Sequence, residues 1–219
     1  MILYTVDRGE YLTMEESLHR QPVGQRSLYV NLTNRCTCAC TFCLRQLKKM
    51  DESMTLWLAN EPSVAEVEAA MDDIPWKYVR EVVFCGFGEP TMRLADVVTL
   101  LRYVKKMQPQ LHTRLNTNGL SDLAFGRKTA RDFAGGVLDT ISISLNASTP
   151  ERYLALTHSS FGLVSQEALL AFASDCQQYI PQVVLTVVDQ VEDPDEIAAC
   201  RKLCESRGLT LRVRPYEAS

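Results

Sequence analysis

The chain has 219 residues, with 23 basic and 27 acidic side chains and a formal net charge of −4. A chain of this length buries roughly 70% of its unfolded surface, so it has a core of its own and no need of cystine staples. Its dispersed charge excludes the basic footprint of a generic nucleic-acid or membrane-surface binder. No apolar run approaches the ~20 residues that span a bilayer.

The first 20 residues meet acidic side chains early and hold no apolar h-region. No secretory signal is therefore expected, and the cytoplasm is the expected compartment. Residues 1–27 read as an N-terminal extension, with a short strand at "ILYTV", ahead of a core domain at 28–219. β-rich runs follow at 28–33, 81–86, 112–118, 140–146, 183–189 and 209–215. Helical patterns lie between them. Residues 63–74 begin after Pro62 with acids in the first half, and residues 93–107 end on Lys105 and Lys106. Residues 165–180 open with a serine cap candidate, and residues 193–208 open with acids and close at Gly208. Strands alternating with helices predict βα units and a parallel sheet. A doubly wound sheet and an open barrel fit this alternation equally, and both carry function on the loops after their strands.

The loop after the first of these strands reads "NLTNRCTCACTFCLRQ" and holds four of the eight cysteines, Cys36, Cys38, Cys40 and Cys43. In a reducing compartment such a group suggests metal or redox chemistry ahead of disulfides. A structural zinc site favours two ligand pairs far apart in sequence, which this loop lacks. The spacing also differs from that of a two-cluster ferredoxin. Without Cys38 the pattern is Cys36-x3-Cys40-x2-Cys43, three thiols able to hold three irons of a 4Fe–4S cubane and leave the fourth open. Cys176, Cys200 and Cys204 are expected to be ordinary buried thiols.

This pattern, with Phe42 before the last cysteine, resembles the signature of the radical S-adenosylmethionine (SAM) superfamily. "CGFGEP" (85–90) resembles the family's glycine-rich segment, "LNTNG" (115–119) its third-strand segment and "SISLNA" (142–147) its fourth. The resemblance implies a partial (β/α)6 TIM-like barrel of parallel strands with outer helices. It implies Cys36, Cys40 and Cys43 as ligands of a 4Fe–4S cluster, and SAM as the second cofactor. Gly86, Gly88 and Glu89 would receive the SAM amino group, Phe42 the adenine, and Asn116, Ser144 and Asn146 the ribose or carboxylate. The implied reaction is reductive cleavage of SAM to a 5′-deoxyadenosyl radical that takes hydrogen from a substrate. An electron donor such as flavodoxin or ferredoxin would serve it.

Within the superfamily the chain is similar to the TatD-linked radical SAM proteins, through "LYVNLTNRCTCACTFCLR", "EVVFCGFGEPTMRL", "RLNTNGL", "SISLNA" and "LRVRPY". That likeness implies association with a TatD-type hydrolase. Alternation along the strands groups Arg114 with Asn116 and Asn118, and Arg212 with Arg214. If these faces point inward, the arginines favour an anionic small molecule as substrate, with Asn31, Cys38 and Cys85 as further candidates. The competing readings are a non-enzymatic zinc or iron–sulfur module and an activase of a glycyl-radical enzyme.

Overall fold

The structure is a computed structural model that describes residues 1–47 and 55–215. Tyr216, which ends the resembling "LRVRPY", lies outside the described residues. The chain divides into two compact units, residues 1–35 with 49–115 and residues 36–48 with 116–219.

In the first unit β1 (Leu3–Asp7) pairs antiparallel with β2 (Glu10–Leu12) and with β3 (Arg26–Val30). The strand expected at "ILYTV" is thus β1. β3, β4 (Val79–Phe84) and β5 (His112–Thr117) then run parallel in chain order. Their helices are α1 (Met14–Arg20), α3 (Val64–Asp72) and α4 (Leu94–Met107). Thr13 and Ser63 each close a capping box, with Glu16 and Glu66 respectively. Burial along β5 alternates as the period of a strand requires: Thr113, Leu115 and Thr117 are fully buried, while Arg114 and Asn116 are half-buried.

In the second unit β6 (Thr140–Ser144), β7 (Gln182–Val188) and β8 (Thr210–Arg214) are parallel and adjacent in chain order. The parallel strands of each unit keep plain chain order, β3-β4-β5 and β6-β7-β8, and β1 and β2 join antiparallel, so they do not make the order reversal of a doubly wound parallel sheet. The helices are α2 (Leu44–Leu47), α5 (Ser121–Phe125), α6 (Pro150–Thr157), α7 (Val164–Cys176) and α8 (Pro194–Ser206). Cys176, Cys200 and Cys204 are buried on α7 and α8, and burial pushes all three thiols up. Ser165 is not the cap of α7. The helix starts one residue earlier, and the Ser165 hydroxyl bonds Ser159 and the Gly162 carbonyl.

The alternation pattern omits α6, which has only eight residues. Its start signals are nevertheless present. Thr149 accepts from the Arg152 N–H, and Pro150 occupies the first turn, where its missing N–H costs nothing. We expect Thr149→Ala to lower the unfolding free energy by about 1 kcal/mol. Urea titration by circular dichroism would measure the loss.

Candidate active site

The cysteine loop is held by the end of α6. Ala39 and Thr41 donate N–H bonds of 2.9 Å each to the Thr157 and Leu156 carbonyls, and Ser160 donates to the Thr37 carbonyl at 2.9 Å. The last carbonyls of a helix have no partner within it, so they are acceptors ready for another segment. Here that segment carries the thiols. His158, in the left-handed region at φ 44°, ends the helix.

None of the eight cysteines is in a disulfide. Cys36, Cys40 and Cys43 are half-buried, whereas Cys38 is only 6% exposed. The Cys38 N–H donates toward Cys36 Sγ at 3.4 Å. A side-chain bond with Cys36 lowers the Cys38 thiol, but one with Cys40, together with burial, pushes it up to about 11. Burial also raises Cys43. Among the described residues no three His, Cys, Asp or Glu side chains converge as they would on one metal ion. A cubane is a different demand, since it takes one thiolate per iron and needs its three thiols apart and accessible.

Two buried polar atoms of this unit lack partners among the described residues. Tyr153 Oη, on α6, has no hydrogen bond, and neither has Asn116 Oδ1 at the end of β5. Buried polar groups are normally satisfied, so each can take a partner from water or a bound group. The thiol spread and these orphan atoms fit a cluster with a polar second cofactor. Asn118 joins the same group: its amide nitrogen lies 3.0 Å from Thr37 Oγ1, 3.7 Å from Cys38 Sγ and 4.0 Å from Cys36 Sγ.

Elsewhere in this unit Ser144 is half-buried and Asn146 is buried in the left-handed region at φ 62°, a conformation asparagine tolerates. Phe42 is half-buried. Arg212 and Arg214 are exposed, and Arg212 donates to Ser142 Oγ at 3.2 Å.

The glycine segment lies in the first unit, and its glycines meet the chain itself. A Cβ on Gly86 would stand 2.1 Å from Asn31 Oδ1, and one on Gly88 would stand 2.2 Å from the Thr33 carbonyl oxygen and 2.7 Å from that of Arg35. Glycine is needed here for close approach to the segment that leads directly into Cys36. The Glu89 N–H donates to that same Arg35 carbonyl at 2.8 Å. Glu89 is 5% exposed, and its Oε1 accepts from the Thr91 N–H and hydroxyl at 3.0 and 2.7 Å.

Asn31 is buried and ties two other segments. Its amide donates to the Leu56 carbonyl at 2.6 Å and to the Met1 carbonyl at 3.1 Å. Arg114 pairs with Glu81 at 3.2 Å, with side chains 18% and 15% exposed. This guanidinium therefore already has a carboxylate. Cys85 is half-buried, and its carbonyl accepts from the Tyr4 hydroxyl at 3.3 Å. Burial first, and then the neighbouring Cys85, hold the Tyr4 and Tyr29 phenols above their ordinary range.

Three participants escape a reading of motifs. Tyr153 and the α6 carbonyls lie far from the cysteines in sequence. Glu61, which clasps Arg35 bidentately at 2.9 Å and bonds Thr33, follows Cys43 by 18 residues. Only the cap signal at Thr149–Pro150 pointed toward the first pair.

The sequence profile of the radical SAM superfamily matches residues 30–204. A GTP 3′,8-cyclase of Corynebacterium glutamicum is 32% identical over 196 residues, covering 85% of this chain and 48% of that protein. A probable GTP 3′,8-cyclase of Thermococcus kodakarensis is 27% identical, covering 88% of this chain and 57% of that one. The chain thus spans about half the length of the curated relatives it matches. Among solved structures, Streptococcus suis SuiB bound to S-adenosylmethionine superposes with TM-score 0.64 at 17% identity, over 93% of this chain and 42% of that one. A radical SAM methyltransferase from Sphaerobacter thermophilus gives 0.57 at 14% identity, over 98% and 76%. These structures share the fold, α/β with mostly parallel strands and outer helices. The family's cofactors are a 4Fe–4S cluster and SAM, and its chemistry is enzymatic. With the profile matched over most of its length, the chain belongs to the radical SAM superfamily.

Proposed function

We propose that this protein is a cytoplasmic enzyme that cleaves SAM reductively and turns the resulting radical on an anionic small molecule. The observation that carries the reading is the division of labour in the cysteine loop: three half-buried thiols, Cys36, Cys40 and Cys43, and one, Cys38, turned into the protein. The bound cluster and SAM supply a 5′-deoxyadenosyl radical for hydrogen abstraction. The chain's own residues hold and orient. Cys36, Cys40 and Cys43 grip the cluster. Gly86, Gly88 and Glu89 receive the SAM amino group, and Phe42 packs on the adenine. Asn116 Oδ1, buried without a partner, accepts a hydroxyl of the ribose, beside Ser144 and Asn146. A flavodoxin or ferredoxin delivers the electron.

Among the arginines, Arg212 and Arg214 are the candidates for substrate charge, because Arg114 is occupied by Glu81. The likeness to the TatD-linked proteins adds a TatD-type hydrolase as partner. A second reading is nucleotide chemistry: the curated relatives named above are GTP 3′,8-cyclases, and GTP is itself an anionic small molecule. Deuterium transfer separates the candidates. The reconstituted enzyme is given SAM, a reductant and one deuterated anion at a time, GTP included. The true substrate places deuterium in 5′-deoxyadenosine. If only neutral compounds do so, the anionic reading fails.

A further inference from the structure

Tyr153 is 1% exposed, and its hydroxyl is the one on α6 left without a hydrogen bond. The Thr157 hydroxyl one turn on cannot serve it as donor, because it donates to the Tyr153 carbonyl at 2.8 Å. Its polar neighbours are the Thr157 hydroxyl and the Cys38 and Cys40 thiols, and none of them meets it in full hydrogen-bonding geometry. A buried O–H that lacks an acceptor costs about 1–3 kcal/mol, and a phenylalanine would fill the same volume without that cost. Something must therefore take this hydrogen bond in the working protein.

Asn118 approaches the loop's cysteines as a second donor. Its Oδ1 accepts from the Leu120 N–H at 3.0 Å, which fixes the amide so that the NH2 group faces the cysteine loop. Three acceptors there, Thr37 Oγ1 and the Cys36 and Cys38 sulfurs, compete for its two hydrogens.

We propose that Tyr153 Oη, supported by the Asn118 amide, donates a hydrogen bond to the sulfur shell of the iron–sulfur cluster and sets its reduction potential. This rests on the radical SAM reading above. Tyr153 and Asn118 are then positioning residues that act through the cluster. Hydrogen bonds to cluster sulfur stabilise the extra electron, so losing one makes the cluster harder to reduce. Because α6 also holds the loop's backbone, one short helix fixes both the place of the cluster and its poise.

Tyr153→Phe is the test, read by redox titration of the anaerobically reconstituted protein without SAM or substrate. Apo Tyr153→Phe is expected to melt no lower than apo wild type, since the orphan hydroxyl is gone. Its cluster is expected at a more negative potential, with up to about a tenfold lower reduced fraction at fixed poise (~59 mV for one electron). A strongly coupled exchangeable proton, seen by electron–nuclear double resonance in the reduced wild type, should vanish in Tyr153→Phe. An unchanged potential with that proton retained overturns the inference and leaves the radical reading intact. A wild type that takes up no cluster overturns both.

Discussion

Cys36→Ser, Cys40→Ser and Cys43→Ser are each expected to leave a folded protein that no longer assembles a 4Fe–4S cluster or cleaves SAM. Cys38→Ser is expected to keep wild-type iron and sulfide content. The contrast follows from burial. The three outer thiols are half-buried and can reach irons at separate corners, whereas Cys38 is only 6% exposed and is engaged by Asn118 and by its neighbours Cys36 and Cys40. Iron and acid-labile sulfide per chain, with the charge-transfer absorbance of the cluster, read the outcome. Wild-type cluster content in any of the three outer variants would reassign the ligands. Loss of the cluster in Cys38→Ser would make Cys38 one of them.

Gly88→Ala carries the next largest effect. The new methyl would stand 2.2 Å from the Thr33 oxygen and 2.7 Å from that of Arg35. Both are backbone atoms, so no rotamer change relieves the clash. The segment is also braced from the other side, by the bidentate grip of Glu61 on Arg35 and the Glu89–Arg35 backbone bond. Overpacking of this kind costs about 1–3 kcal/mol, and we expect the upper end. Arg35 immediately precedes Cys36, so the displacement reaches the first ligand along the chain. Gly88→Ala is therefore expected to lose cluster occupancy as well as stability. Chemical denaturation and iron content measured on one sample check both. A variant with wild-type stability and wild-type iron would show that the segment yields more easily than its bracing implies.

The strand pattern was legible because each βα unit follows one rule: apolar residues alternate or repeat, then a cap or glycine stops them. β4 and α4 fall within two residues of the expected runs. α6 was missed because eight residues give too few periods to register, although Thr149 and Pro150 announce its start. The thiols were legible as chemistry because cysteines at fixed spacing have few other uses in a reducing compartment.

The roles of the surrounding residues were less legible, for a physical reason. Whether an arginine is available depends on who faces it across the sheet, and a sequence does not list cross-strand neighbours. Arg114 and Glu81 are 33 residues apart in sequence and 3.2 Å apart in space. Asn31 reads as an inward polar residue, yet its amide joins the N-terminus to Leu56. The glycines of "GFGEP" suggest approach to a ligand, and their closest neighbours are the chain's own Asn31, Thr33 and Arg35. These contacts are with the segment that runs into Cys36.

The most direct measurement is the fate of SAM on the anaerobically reconstituted protein. With a 4Fe–4S cluster in place and a low-potential reductant added, SAM should disappear as 5′-deoxyadenosine and methionine accumulate, and neither should form with Cys36→Ser. A wild-type protein that takes up stoichiometric zinc in place of the cluster, or that holds the cluster and leaves SAM intact under reduction, would contradict the account.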